Sequence, residues 1–485
     1  MSERRTPRGE LVCLTLLFAF LLWVPLPFAS TPDESQLPLV IGATTVCAAT
    51  AAALARSKGR LTLSAAHRIW TIGAVVFMLL VALQLVEIPG PMLRVLSPES
   101  ARIWASAGGV ASPIIGPLPS AHSISVDPRT TLLHLFRLLA YFATFTAAAL
   151  LIRRHAQRMA LAAVLACSAL FQTIYGLREA MLHRFSIWGW KNTLIFDRVT
   201  GTFVNPNHFA DYAAIVAPLG GFILALAWHN AAPPSARLWR RIMKMTQRRV
   251  VPAAFGAVVV VSCIAAILVS KSRGALFALF AGAAIGLAAV TGRRLVRTVL
   301  FLAAGAIVVL AIALYLGSER TSMTRLLPTQ GEALALGGRR TGLETALSIW
   351  RRYPVFGSGL GTFGDLAPMA QPDQFDRLYT HAHDDYAEIA ATTGAIGIAV
   401  FVVALALGMM RFARAAFSPE GSWRRRAFHA AALASMATAL THALIDFSFF
   451  IPANAVTIAA IAGAAVATRS ESASLRGSAL DDSQA

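Results

Sequence analysis

Apolar residues in this chain fill whole stretches instead of marking one face of an element. After the opening MSERRTPRGE, residues 11–29 read LVCLTLLFAFLLWVPLPFA, and further apolar runs fall near 37–55, 69–88, 131–152, 159–179, 209–228, 251–270, 275–291, 299–317, 386–410, 427–446 and 448–467. Each is close to the roughly 20 residues that a helix needs to cross a bilayer. The first run exceeds the apolar region of a signal peptide and an equally apolar one soon follows, so it is expected to be an uncleaved span. The pattern predicts an all-α polytopic membrane protein of about twelve helices. A large, partly helical outer loop over 318–385 lies between the ninth and the tenth.

Composition strengthens this reading. Only 14% of the 485 residues are charged, against about 25% in soluble domains, and the mean hydropathy is +0.62. The net charge of +19 would suggest nucleic acid in a soluble chain. In a membrane protein, Lys and Arg instead collect in cytoplasmic loops and set topology, so no nucleic-acid partner is expected. The basic residues do alternate by loop: Arg4, Arg5 and Arg8, then Arg56 to Arg68, Arg153 to Arg158, Arg237 to Arg249, Arg293 to Arg297, and Arg411 with Arg424 to Arg426. Those loops are assigned to the cytoplasm together with both termini. The loops at 31–36, 89–130, 180–208, 270–274 and 318–385 are assigned to the outside.

Residues 1–470 are expected to form one integral membrane domain and 471–485 a disordered cytoplasmic tail too poor in apolar residues to fold. Cys13, Cys47, Cys167 and Cys263 lie inside apolar runs at unrelated spacings, giving neither a metal motif nor a disulfide framework.

Candidate chemistry gathers in the outer segments. DRVTGTFVNPNHFADY, 197–212, brings Arg198, Asn205, Asn207, His208 and Asp211 to the start of the sixth span. One reading is a helix entry with Asn207 as cap and Asp211 favouring the positive helix end. The other is a polar pocket in which the Arg198 guanidinium pairs with phosphate. SKSRGAL, 270–276, puts Lys271 and Arg273 at a turn on the side where basic residues are disfavoured. They either snorkel to headgroups or join Arg198 around an anion at the start of the eighth helix.

Within 337–363, GLETALSIWRR has helical spacing and PVFGSGLGTF is a glycine turn. No strand precedes GSGLG, so nucleotide binding is not favoured. THAHDDYAEIAATTGAIG, 380–397, offers His381, His383, Asp384 and Asp385 for metal binding, for a helix cap, or, the favoured reading, for acid–base chemistry. Histidines two apart on a helix point in different directions, which disfavours a metal. His134 with Arg137, and His442 with Asp446 at i,i+4, are costly in lipid and are expected to face a cavity or one another.

Together these segments make the sequence resemble the O-antigen ligase and polysaccharide polymerase superfamily of bacterial membrane glycosyltransferases, with a GT-C-like helical fold. GTFVNPNHFADY, SKSRGAL, GRRTGLETALSIWRRYPVFGSGLGTF and THAHDDYAEIAATTGAIG carry the likeness in order, and HALIDFSFFIPANA, 442–455, is similar to a late motif of exopolysaccharide-type members. The resemblance implies that Arg198 and Arg273 hold the diphosphate of a polyprenyl (undecaprenyl)-linked glycan and that His383 activates the acceptor hydroxyl. It makes Arg340 a recurrent arginine of the outer-loop helix. Two positions depart from the family pattern. Asp384 replaces the usual Asn after the histidine, which suggests pairing with His383, and Thr392 stands where a Glu is common.

The expected activity is metal-independent, inverting transfer of a lipid-linked oligosaccharide onto a glycan acceptor at the periplasmic face of the bacterial inner membrane, without a cofactor. Paired arginines and an imidazole supply what that chemistry needs. Asn205, Asn207, His208, Lys271, Asp384, His442 and Asp446 are the expected binding residues around the catalytic group. A polymerase is favoured over a ligase acting on lipid A core or protein. A polysaccharide flippase is the alternative of another class, and membrane lipid and polysaccharide export proteins are further expected partners.

Overall fold

A computed structural model describes residues 7–56, 64–115, 121–191, 198–229, 247–291, 330–371, 379–418 and 422–467. The expected ninth span at 299–317 and the tail at 471–485 lie outside the described residues. The elements are α1 (Arg8–Trp23), α2 (Asp33–Arg56), α3 (Ala65–Leu83), α4 (Gly90–Leu96), α5 (Pro98–Ile115), α6 (Pro128–Leu151), α7 (His155–Met181), α8 (Pro206–His229), α9 (Gln247–Val269), α10 (Arg273–Thr291), α11 (Gln330–Arg352), α12 (Phe363–Ala370), α13 (Asp385–Phe417), α14 (Trp423–His442) and α15 (Pro452–Val466). Ser186–Ile187 and Trp190–Lys191 form a short hairpin, and Ile88–Pro89 pairs antiparallel with Ala121–His122 from beyond α4 and α5.

Among the described residues eight helices are long and apolar enough to cross a membrane, and the chain is an all-α, multi-pass membrane protein. The other three expected spans that are described take a different form. Pro25 and Pro27 follow α1, whose 16 residues end at Trp23. α14 has 20 residues but its AAALASMATALTH sequence is only weakly apolar, and α15 has 15 residues. The expected outer loop at 89–130 is also more ordered than its Pro and Ser content suggests. It holds α4 and α5, bracketed by the antiparallel strand pair, with Glu99 paired to Arg102 along α5.

α8 is the central helix. Of its apolar window 78% is buried, against 17% for α3 at the periphery. Lipid tails give no hydrophobic drive for helix association, so close backbone approach must supply the contact. α8 meets α9 where Gly220 lies against Val259 and Gly256 against the Leu224 backbone. α10 meets α14 where Gly282 and Gly286 rest on the backbone of Ala434 and Ala430. α13 runs along α3, and α6 packs between α2 and α15. Ile41, Ile72, Leu79, Val261, Phe277 and Val403 point away from these contacts and are exposed, as expected of side chains that meet lipid.

The glycine turn after α11 docks into a break in α13. Gly394 has φ +67° inside α13, and Gly357 and Gly359 also have positive φ. That break frees backbone groups that the turn takes up. Ala395 N donates to Pro354 O at 2.8 Å, Ile396 N to Val355 O at 3.3 Å, and Gly359 N to Thr392 O at 3.0 Å. Gln84, just after α3, closes the junction by donating to Phe356 O and Thr392 O and accepting from Leu360 N. PVFGSGLGTF therefore serves backbone docking, the only role these contacts give its glycines.

A Cβ at position 394 would fall 2.2 Å from Val355 O, on a backbone that L residues rarely adopt. Gly394→Ala is expected to lower stability by about 2 kcal/mol or more, read as a lower Tm in detergent. Gly109→Ala, in α5 with nothing within 4 Å of the new Cβ, is expected to leave Tm unchanged or raise it, since Ala is favoured over Gly by about 1 kcal/mol in a helix.

Candidate active site

The N-termini of α8, α10, α13 and α15 and the C-terminus of α14 meet at one end of the bundle, and each delivers polar side chains. From α8 come His208 and Asp211, from the loop into α13 His381 and His383, and from α13 Asp385 and Glu388. His442 ends α14, Asp446 lies in the turn that follows, and Asn454 opens α15. Such groups are costly at membrane depth unless they satisfy one another.

They pair across helices. His442 Nδ1 lies 3.4 Å from Asp211 Oδ1 and 3.0 Å from Ser448 Oγ. Asn454 Nδ2 donates to Asp211 Oδ2 at 2.8 Å and to the His208 carbonyl at 3.3 Å. Asp446 Oδ1 takes His383 Nδ1 at 3.3 Å, His208 Nε2 at 3.6 Å and the Phe447 N–H at 3.0 Å. The i,i+4 spacing of His442 and Asp446 thus does not pair them on one helix face, because α14 ends at His442. Each finds a partner from α8 instead.

His383 is the reachable member. Its side chain is 28% exposed, while those of His208 and His442 are 7% and 1% exposed. Its φ of +54° is a conformation uncommon for residues other than glycine, and it lies in a turn, not on a helix. Nδ1 is directed at a buried carboxylate, which favours the tautomer with its proton on Nδ1, and that tautomer suits a general base.

A second dyad lies two residues earlier. His381 Nδ1 is 2.9 Å from Glu388 Oε1, the other Glu388 oxygen accepts the Ala382 N–H at 2.8 Å, and the His381 ring stacks flat on Phe447 at 4.0 Å. Glu388 was not singled out from the sequence. Its i+7 offset from His381 is the signal that would have found it, once the histidine was placed in a turn ahead of the helix.

Several assignments change. Asp384 does not pair with His383. It caps α13, accepting the Ala387 N–H at 3.0 Å, and burial raises its carboxyl above the usual range while the Ala387 and Tyr386 N–H groups oppose that. The helix entry at α8 is organised by Asn205, whose Oδ1 accepts the Asn207 N–H at 2.9 Å, so Asn207 is not the cap. Asn207 Oδ1 instead accepts from Arg198. Asp211 belongs to the buried network, not to the helix end. Arg340 is exposed and forms an i,i+4 pair with Glu344. Two residues on, Gly342 rests against Ala382 O, which brings α11 onto the histidine loop without turning Arg340 into it.

Arg198 and the 270–273 turn do come together. Arg198 Nε donates to Ser270 O at 2.8 Å, and Nη2 donates to Lys271 O and to Asn207 Oδ1, both at 3.2 Å. Lys271 adopts φ +55°. Ser272 Oγ accepts the Ala275 N–H at 3.4 Å, so the start of α10 is capped by its own serine. Arg273 opens α10 immediately before Gly274, where a Cβ would lie 3.5 Å from His442 Nε2. The arginine turn and the histidine network are therefore neighbours. Among the described residues, no three His, Cys, Asp or Glu side chains group so as to hold a metal ion.

No curated protein matches the chain. Residues 257–402 match the family model described as O-antigen ligase, a segment that runs from α9 through the arginine turn and the glycine turn to His381, His383 and the first half of α13. That segment is similar to the O-antigen ligase domain, and with a multi-pass helical fold around it the match supports the O-antigen ligase and polymerase superfamily.

Proposed function

We propose that the protein transfers a glycan from a polyprenyl diphosphate onto a sugar hydroxyl of an acceptor glycan, with His383 as general base and Arg198 and Arg273 at the diphosphate. The observation that carries this is the His383–Asp446 pair, half-open to the exterior and backed by buried polar groups, at the same end of the bundle as the arginine turn. His383 Nε2 takes the acceptor proton as the hydroxyl oxygen bonds to the anomeric carbon. The bond from that carbon to the diphosphate oxygen breaks, its electron pair leaves with the diphosphate, and the guanidinium groups stabilise the growing charge. Attack opposite the leaving group inverts the anomeric centre. Polymerisation of lipid-linked repeats is preferred to ligation onto lipid A core or protein because HALIDFSFFIPANA, similar to the exopolysaccharide-type motif, supplies His442, Asp446, Ser448 and Asn454 to the network.

The site is assigned to the periplasmic face, with both termini in the cytoplasm, because the basic loops alternate. In a cysteine-free background, Arg352→Cys is expected to react with a membrane-impermeant thiol reagent in intact spheroplasts and Ser422→Cys only after lysis. The reverse pattern overturns the orientation.

With purified enzyme and lipid-linked oligosaccharide, His383→Ala is expected to lower turnover by roughly two to four orders of magnitude while donor binding persists. Arg198→Lys keeps charge but loses the planar fork and is expected to lower turnover strongly. A His383→Asn enzyme with near-normal activity would remove His383 from catalysis. If His381→Ala alone abolishes turnover with donor binding intact, the His381–Glu388 dyad is the base. Chelating agents are expected to leave the rate unchanged, since arginines supply the countercharge. Loss of activity restored by a divalent cation overturns that assignment.

A further inference from the structure

At the end of the bundle opposite the histidine network, the starts of α7, α9 and α14 and the end of α8 enclose a cavity of about 240 Å3. The helices themselves set its separation from the candidate active site. α8 carries His208 and Asp211 in its first turns and brings Ile223 and Leu226 to the cavity in its last, while α14 ends at His442 and begins beside Arg424. At about 1.5 Å per helical residue, His208 and Leu226 stand roughly 25 Å apart.

The wall has two chemistries. Ile223, Leu226 and Met159 contribute to its apolar part, and Arg249 of α9, Arg424 of α14 and His155 of α7 make its basic part. No carboxylate lines it, and among the described residues no ion pair engages Arg249 or Arg424. Glu10, which α1 brings to this end of the bundle, is already held by Arg153 at 3.1 Å. The N-termini of α7, α9 and α14 add partial positive charge here. Ring contacts fix the hollow: His229 at the end of α8 stacks on Trp423 at 4.0 Å, and His155 meets Phe222 edge-on at 6.4 Å. Topology accounts for basic residues on this side, but it places no demand on a cavity between them.

We propose that this cavity binds the phosphate of an anionic phospholipid, with Arg249 and Arg424 on the phosphate and the start of an acyl chain on Ile223 and Leu226. Guanidinium groups suit phosphate, and basic pockets between helices on the cytoplasmic side suit anionic headgroups. Two features favour a lipid over a soluble phosphate compound. The apolar lining matches hydrocarbon, and Val250 and Val251, next to Arg249 in α9, are exposed, which gives the chain an apolar surface to follow out of the cavity. A volume below the range of about 300–1,000 Å3 for whole small molecules takes the phosphate and the chain start and leaves the rest of the lipid in the bilayer. The bound lipid bridges α9 and α14, both of which pack on α8, and takes no part in sugar transfer.

Native mass spectrometry of the full-length protein, given equal amounts of phosphatidylglycerol and phosphatidylcholine, tests this. Phosphatidylglycerol is expected to stay bound at collision energies that strip phosphatidylcholine. Arg249→Gln combined with Arg424→Gln is expected to weaken its binding about tenfold or more, as for loss of hydrogen bonds to a charged group. Arg411→Gln combined with Arg414→Gln, which removes two exposed basic residues at the same end of α13, is expected to leave binding unchanged. Ala227→Phe, which fills the cavity, is expected to reduce binding by a similar factor to the Arg249 and Arg424 pair. Each variant is compared after monodisperse elution with unchanged helical circular dichroism. In nanodiscs, phosphatidylglycerol is expected to raise Tm for the unmodified chain and not for the Arg249 and Arg424 double variant. His383→Ala protein is expected to retain the lipid, so the catalytic assignment can fail without affecting this result.

Equal retention of the two lipids overturns the proposal, as does an equal loss in the two double variants, which reduces the effect to general attraction by a basic face. Folded Ala227→Phe protein with unchanged lipid binding removes the cavity as the site. Displacement of the lipid by millimolar glycerol 3-phosphate or inorganic phosphate, or a rise in Tm with either that the Arg249 and Arg424 double variant abolishes, overturns the choice of a lipid in favour of a soluble phosphate.

Discussion

Asp211 and Asp446 are buried to 1% exposure or less at the end of an apolar bundle, and the site depends on how they are compensated. A carboxylate there must be met by donors from other helices, because isolated charge in such surroundings costs several kcal/mol. His442 and Asn454 meet Asp211, and His383, His208 and the Phe447 N–H meet Asp446. These donors come from α8, α14, α15 and the loop ahead of α13. Compensating two charges therefore fixes the relative positions of four chain segments, and the position of the half-open imidazole follows from it.

The glycine turn is coupled to the same arrangement. α13 begins with the Asp384 cap and breaks nine residues into the helix at Gly394. Between those points lie Asp385, whose Oδ2 accepts the Phe449 N–H at 3.0 Å, and Glu388, which grips His381 and Ala382. Docking of the turn at the break, with Gln84 as its lock, holds this first segment of α13 from behind. Gly361 lies against the His134 ring and Gly359 against Ser125 and Thr131, so the outer loop also reaches the polar end of α6. Backbone contacts of this kind are insensitive to side-chain chemistry apart from the demand for glycine.

Span positions, the arginine turn and the histidine loop were legible in the sequence because each rests on local signals: apolar length, a basic pair where bases are disfavoured, and an HxH run. Partnerships were not legible, because they depend on crossing helices. His442 and Asp446 have the right spacing to pair on a helix, yet the helix stops at His442 and sends them to different partners. Asp384 sits beside His383 in sequence, but capping the following helix satisfies it first. Arg340 recurs in the family pattern and still lies on the exposed face of α11. The helices α4 and α5 escaped because neither run is apolar enough to stand out among the spans.

The distribution of polar groups also bears on transport against catalysis. A transporter needs a polar site near the middle of its helices that both sides can reach in turn. Here His208 and Asp211 fall in the first turns of α8, Arg273 opens α10, Asp385 and Glu388 open α13, His442 closes α14 and Asn454 opens α15. All lie at one end. The middle of α8 is instead filled by Ile215, Val216, Leu219 and Phe222, and packed closely against α9 and α14. Among the described residues, this close packing of α8 below a polar end of the bundle fits the proposed transfer chemistry better than a polar site at mid-helix would.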